Sequence, residues 1–252
     1  MDDKTIERIE EKYLITSKEK TELLKAIKSN LRKDEFFSEE VLSIYFDTKN
    51  YDLVIKSIDR PDFREKVRIR AYNVPKLSSP IFFEIKTKLK VGKKKIGNKR
   101  RLSLPLKDFY QYLEKDANLE ELAKNFSKNN KKQVQIAREL DYLMKYYRLE
   151  PKLFIGADRV AYVGKDDSNF RLTFDSNLRF REKKLRLEKG SDGEKFFPLT
   201  SDPKHDIIME VKTMNAMPPW FARELSRLKI YPVRFSKYGK IYELIKERNK
   251  NV

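Results

Sequence analysis

Ten residues, Phe63 to Tyr72, constrain this chain more than any other stretch. They read Phe-Arg-Glu-Lys-Val-Arg-Ile-Arg-Ala-Tyr. With the period of two of a β-strand, Arg64, Lys66, Arg68 and Arg70 fall on one face, and Phe63, Val67, Ile69 and Ala71 on the other. The apolar side must pack. The cationic side repels itself, so it is either solvated or holds a polyanion. The pattern returns in Phe82 to Lys88, where Glu84, Lys86 and Lys88 share a face, and in Ile207 to Lys212, where Glu210 and Lys212 do. Strands of this kind in one sheet or barrel make a basic surface studded with carboxylates.

The excess of cations extends to the whole chain, with 57 Lys and Arg against 39 Asp and Glu, a net charge of +18. That balance favours an acidic partner but does not choose among nucleic acid, phospholipid and a smaller phosphate polymer. Part of the charge only solvates helices. No cysteine is present, which excludes disulfides and thiolate chemistry and fits a reducing compartment. The N-terminus, Met-Asp-Asp-Lys-Thr, lacks the layout of a signal peptide. No apolar run approaches the roughly 18 to 20 residues of a membrane span, so a separate membrane protein would have to supply any membrane attachment. A cytoplasmic location is expected. The 252 residues can bury a sizeable core and are expected to form a single domain over 1–252.

In chain order, Ile6 to Ile15 reads as a first strand, and Thr16-x-x-Glu19 as a capping box for a helix through about Leu31. Val41 to Phe46 is a second strand, followed by the turn-like Asp47-Thr48-Lys49-Asn50. Asp59-Arg60-Pro61 breaks the chain before the central strand. Val91 to Asn98 is expected as a mobile turn between the Phe82 strand and a strand from Lys99 to Leu104. From Leu106 to about Arg148 the composition shifts to helix formers, a helical insertion of about 106–148. Strands resume over Lys152 to Val163 and Phe170 to Phe174, and Phe180 to Leu187 is expected to pair with Phe196 to Leu199. Pro218-Pro219-Trp220 opens a helix, and a last helix starts near Ser236. The class is α+β.

The familiar catalytic motifs are missing: no Walker loop, dinucleotide glycine pattern, zinc spacing or nucleophile elbow occurs. The only histidine, His205, reads as an ordinary surface residue. Trp220 and Phe221 read as helix core rather than a base-stacking platform. Phosphate electrostatics remain.

Taken together, Arg8-x-Glu10-x-Lys12-Tyr13, Tyr45-Phe46-Asp47-Thr48, Asp59-Arg60-Pro61-x-Phe63-Arg64, Lys66-x-Arg68-x-Arg70-x-Tyr72, Glu84-x-Lys86, Arg171-x-Thr173-x-Asp175, Glu210-x-Lys212 and Phe235-Ser236-Lys237-Tyr238 resemble the VTC domain. That domain is the polyphosphate polymerase core of the vacuolar transporter chaperone complex and one of the triphosphate tunnel metalloenzymes. The sister CYTH proteins start with Glu-x-Glu-x-Lys, and Arg8 in place of the first Glu favours the polymerase branch. Ala157 departs from the family, which usually has tyrosine two residues before the position of Arg159. The chain is expected to start at the barrel itself, without a regulatory SPX domain or a membrane segment.

The resemblance implies a closed antiparallel β-barrel, a triphosphate tunnel with helices inserted between strands and packed outside. It implies Lys12, Arg68, Arg70, Lys86, Arg159, Arg171 and Lys237 as the catalytic cations. Phosphate-binding residues would include these with Lys99 (or its neighbours Arg100 or Arg101), Lys212 and Ser236. Glu210 would hold Mn or Mg. Glu10 and Glu84 read as counter-ions that keep the cationic interior foldable. The implied activity is an ATP-dependent polyphosphate polymerase, with ATP and inorganic polyphosphate as partners and no nucleic acid. Two alternatives stay open: a metal-dependent triphosphatase on the same barrel, and a non-catalytic module that binds polyphosphate or nucleic acid.

Overall fold

The computed structural model describes residues 8–92, 94–196, 203–214 and 216–250. In order, the elements are β1 (Arg8–Ile15), α1 (Ser17–Ile27), β2 (Leu31–Asp47), α2 (Asp52–Asp59), β3 (Phe63–Tyr72), β4 (Pro80–Val91), β5 (Lys94–Pro105), α3 (Leu106–Lys115), α4 (Leu119–Ser127), α5 (Lys131–Tyr146), β6 (Glu150–Gly164), β7 (Arg171–Arg181), β8 (Glu194–Lys195), β9 (Ile207–Met214), α6 (Pro219–Arg227) and α7 (Lys237–Lys250). The alternation that defines β3 is real: Val67, Ile69 and Ala71 are buried, and the cations between them are not. Phe63, expected on the buried face, is 49% exposed at the strand's start. Glu65 takes the buried side instead, accepting from Tyr147 Oη at 3.4 Å.

Among the described residues the strands are hydrogen-bonded in the order β1-β9-β7-β6-β2-β3-β4-β5, with β8 pairing β7. The pairs β1–β9, β2–β3, β3–β4, β4–β5 and β7–β9 are antiparallel. The order does not return from β5 to β1, so the fold is an antiparallel α+β sheet rather than a barrel closed by hydrogen bonds. At β5 a side chain takes a neighbouring strand's place: Ser103 N donates to Gln133 Oε1 at 3.0 Å, and Gln133 Nε2 donates to the Arg101 carbonyl at 3.1 Å. An amide offers one donor and one acceptor, as a strand edge does.

The chain divides into two compact units. The first takes in residues 1–40, 157–178 and 195–236, and the second 41–156, 179–194 and 237–252. In the first unit, α1 and α6 cover the apolar side of β1, β9 and β7, burying Tyr13, Leu23, Phe174, Met209 and Phe221 in one cluster. Phe170 meets Trp220 edge-on at 4.9 Å and Phe221 at 5.2 Å. Phe221 is buried in the core and Trp220 packs half-buried against it, as expected of helix core rather than a base-stacking platform. The capping box also forms, with Thr16 Oγ1 accepting from Glu19 N at 3.1 Å.

In the second unit, α3, α4 and α5 occupy the stretch expected to be helical and cover the apolar face of β3, β4 and β5. Phe46, Phe83 and Phe109 form a ring triangle at its centre, with centroids 5.1 to 6.0 Å apart. Each such contact contributes about 0.5–1.5 kcal/mol beyond area burial.

Several boundaries differ from the sequence reading. Leu31, expected in the first helix, opens β2, whose polar first half, Arg32 to Glu40, carries no apolar alternation. The expected mobile turn is a short hairpin: β4 reaches Val91 and β5 starts at Lys94, with Gly92 at φ +59°, where a glycine is least strained. β7 continues through Asp175-Ser176-Asn177. Leu187–Lys189 is a 3₁₀ turn rather than strand, and the expected strand end at 197–199, like the first strand's start at Ile6, lies outside the described residues. Helix α2, a stretch to which the sequence reading assigns no element, has no side-chain cap from its own N-cap residue, Tyr51. Asp47, fully buried, accepts from Thr48 N, Leu53 N, Val54 N and Tyr238 Oη at 2.8 to 2.9 Å. One carboxylate therefore joins β2, the start of α2 and α7.

Replacing Asp47 by Ala strands two buried backbone donors, Leu53 N and Val54 N, the part-buried Thr48 N and a buried phenol, each buried one costing about 1–3 kcal/mol. Urea unfolding of Asp47→Ala is expected to give at least about 3 kcal/mol lower stability. Asp47→Asn, which keeps one acceptor oxygen, should lose less.

Candidate functional site

In the second unit, the face opposite the aromatic core is a set of cationic rungs set by register. Tyr45 of β2 lies opposite Arg68 of β3, Arg68 opposite Glu84 of β4, and Glu84 opposite Arg101 of β5. One rung beyond it lie Lys66, Lys86 and Lys99 side by side, and on the other side lie Ser43, Arg70 and Phe82. Six cations, Lys66, Arg68, Arg70, Lys86, Lys99 and Arg101, share this face with a single carboxylate, Glu84, across these three rungs. Like charges directly opposite on neighbouring strands destabilise a sheet.

Glu84 offsets part of that cost. Its side chain is 1% exposed, and Oε2 accepts from Arg68 Nε at 2.8 Å. Arg68 Nη2 is also 2.8 Å from Oε2, while Lys99 Nζ is 2.7 Å and Arg101 Nε 3.4 Å from Oε1. Burial alone would raise the Glu84 pKa, but Arg68, Arg70 and Lys99 overcome it and hold the carboxyl at about 2. Burial lowers the Lys99 ammonium to about 8 despite Glu84. Arg70 Nε donates to Ser43 Oγ at 3.3 Å. Arg101 also lies over the Phe82 ring, 4.3 Å from its centroid. Lys237 is the first residue of α7, and the next residue, Tyr238, stacks on Tyr45 at 4.6 Å.

In the first unit, Glu210 of β9 lies opposite Lys12 of β1 and Thr173 of β7, and Lys212 opposite Glu10 and Arg171. Lys212 Nζ is 2.7 Å and Lys12 Nζ 3.8 Å from the Glu210 carboxylate. Burial would raise the Glu210 pKa, but Lys212, Lys12 and Arg159 hold it below the ordinary range. Arg159 clamps buried Asp175 with two hydrogen bonds of 2.6 and 2.7 Å, and Arg171 pairs with Asp34 at 3.3 Å. Lys12 Nζ donates to the Phe235 carbonyl at 3.4 Å, beside Ser236. The structure thus brings Lys12, Lys212 and Glu210 together in one unit, and Arg68, Arg70, Lys86 and Lys99 together in the other.

The family model of the VTC domain matches residues 7–246. The chain belongs to the VTC domain family. It is 28% identical over 223 residues to a vacuolar transporter chaperone complex subunit 4 of Trypanosoma brucei brucei, a match that covers 79% of this chain and 27% of that one. The subunit 4 of Schizosaccharomyces pombe is 25% identical over 233 residues, covering 81% of this chain and 32% of that one. The chain therefore spans less than a third of the length of these curated relatives. A solved structure, the PH1819 protein of Pyrococcus horikoshii OT3, superposes with a TM-score of 0.47 at 11% identity, covering 94% of this chain and 99% of that one.

In this VTC domain no group of three His, Asp or Glu side chains is placed to hold a metal among the described residues. Glu210 is nevertheless ionised and partly open, and one carboxylate with phosphate oxygens is a common way to hold Mg or a similar hard cation. Glu210 would supply one hard oxygen donor to such an ion, and phosphate oxygens would have to supply the rest of its shell. No helix among the described residues is long and apolar enough to cross a membrane. His205 Nε2 lies 3.9 Å from Glu19. In the sequence Tyr45 and Asp175 stand only as letters of the motifs. Their period-two spacing within their strands was the available signal, but which cation each meets depends on register.

Glu84→Gln removes the charge that three cations share, so stability at neutral pH is expected to fall by about 3 kcal/mol. Because the folded Glu84 pKa lies below its ordinary 4.5, its contribution is complete above that value and is lost as pH falls toward about 2. Denaturant unfolding across this window should therefore give a flatter acid slope for Glu84→Gln than for the wild type.

Proposed function

We propose that this VTC domain is an ATP-dependent polyphosphate polymerase. The observation that carries the reading is the set of aligned rungs on β3, β4 and β5, where six cations share one carboxylate. A face built against its own repulsion gains most from a linear chain of phosphates. Arg68 and Arg70 would clamp phosphate oxygens, bidentately where geometry allows, and Lys86 and Lys99 would add compact charges. Lys12, Arg159, Arg171, Lys212, Ser236 and Lys237 complete the proposed set. The closed tunnel barrel implied by the family resemblance is part of this proposal. So is association with other subunits, as the names of the relatives suggest, with any membrane attachment supplied by a partner and the domain itself on the cytoplasmic side.

The reaction needs no protein nucleophile. An oxygen of the terminal phosphate of the growing chain forms a bond to the γ-phosphorus of ATP as the bond to the β-phosphate oxygen breaks, and ADP leaves. Charge spreads over the transferred oxygens, so positioned cations supply most of the stabilisation. Glu210 would hold Mn or Mg, which neutralises phosphate charge when bound.

The purified domain, incubated with ATP and Mn, is expected to yield acid-labile polymer on a gel. ADP and orthophosphate without polymer would identify a triphosphatase instead. Glu210→Gln should abolish metal-dependent turnover but bind tripolyphosphate as tightly as the wild type or more so, since it loses one negative charge and no cation. Tripolyphosphate should compete with ATP far better than DNA at equal phosphate concentration, with part of that preference surviving at about 0.3 M salt. Equal competition with the same salt slope would point to a nucleic-acid module.

A further inference from the structure

Tyr45 is 8% exposed and holds an unusual place for a phenol. Its oxygen accepts from Arg68 Nη1 at 3.0 Å, and the Arg68 guanidinium also lies 5.7 Å from its ring centroid. Arg70 and Lys66, its other charged neighbours on β3, are cations as well. The carboxylates of the region are engaged elsewhere: Glu84 with Arg68, Lys99 and Arg101, and Asp47 with Tyr238 and the start of α2. Tyr238 of α7 contributes only its ring to Tyr45, since its own hydroxyl points to Asp47. Among the described residues, the single hydrogen bond of the Tyr45 hydroxyl is the one it accepts. Among the described residues, a phenol so surrounded by donors has no acceptor to which it gives its hydrogen.

We propose that Tyr45 is a further phosphate-contacting residue: as a phenolate it is a counter-ion to Arg68, Arg70 and Lys66, and when a phosphate chain binds beside them it takes a proton from solvent and donates it in a hydrogen bond to a phosphoryl oxygen. The exchange balances, with one proton taken up for each phenolate that becomes a phenol. The acid-base behaviour agrees with the geometry. Burial pushes the phenol up, but Arg68, Arg70 and Lys66 reverse this and bring it to about 7. The other described tyrosines with a shifted pKa, such as Tyr13, Tyr110 and Tyr238, are all pushed up. A phenolate signal near neutrality therefore has one source.

The inference rests on the phosphate-binding reading above, and the experiment keeps the two apart. Tripolyphosphate binding is measured first by calorimetry, then the ultraviolet phenolate band is followed at about pH 8, above the shifted Tyr45 pKa and below that of a free phenol. The wild type should carry a band that Tyr45→Phe lacks, and saturating tripolyphosphate should remove it. Tyr45→Phe, which keeps the ring stacked on Tyr238, should bind tripolyphosphate about tenfold more weakly, with a Tm lowered by loss of the Arg68 hydrogen bond but cooperative unfolding retained. If the wild type binds and the band persists, or no band distinguishes it from Tyr45→Phe, Tyr45 is structural and this inference falls alone. If the wild type does not bind, both readings fall.

Discussion

A buried carboxylate that three strands share is what allows β3, β4 and β5 to lie with their basic faces in register. The rung Arg68, Glu84, Arg101, with Lys99 reaching in from the next one, places a negative charge where cationic repulsion would be greatest. The same device recurs in the first unit, where Glu210 lies against Lys12 and Lys212 and Asp175 against Arg159. In a medium of low polarity such pairs are strong in attraction but expensive in desolvation. Their geometry has to be close, and it is. On β3, β4 and β5 the one carboxylate does not neutralise its whole surroundings, so that face keeps a surplus of positive charge that a polyanion would relieve.

The energy that holds such a face in place comes from its opposite side. Alternate residues of β3, β4 and β5 enter a core in which Phe46, Phe83 and Phe109 meet edge to face under α3 to α5. Apolar burial of this kind is roughly proportional to area and does not depend on what the other face carries. The sheet can therefore tolerate repulsion on one side because the other is closely packed. Asp47 extends the scaffold to α7: its carboxylate holds Tyr238, which stacks on Tyr45, so the first turn of that helix is tied to the cationic face.

Where local pattern and tertiary demand agree, the elements were legible. β3 begins and ends at the residues its alternation marks, α1 starts at its capping box, and α6 starts at its proline. The misreadings have a common cause. The first half of β2 is charged and carries no apolar alternation, so nothing local marks it as strand, and its place in the sheet between β6 and β3 is a tertiary matter. Helix α2 takes its cap from Asp47, outside the helix, in a segment that reads as a turn. The hairpin of β4 and β5 extends past Lys88 through Leu89, Val91 and Ile96, whose apolar side chains stay exposed, because a ladder needs only backbone groups and no core beneath it.

The sequence by itself determined which residues are cationic, which strand faces carry them, and the family to which their order belongs, because side-chain alternation is a property of the local backbone. Register, and with it the partner of each charge, was decided only in the tertiary structure. A shift of one residue between β3 and β4 would send Glu84 to the opposite face from Arg68, and nothing local to either strand prevents that shift. The prohibition comes from the core on the far side, where Val67, Ile69, Phe83 and Ile85 must all be buried at once. The same packing brought Tyr45 to Arg68 and Asp47 to Tyr238, pairs separated by 23 and 191 residues.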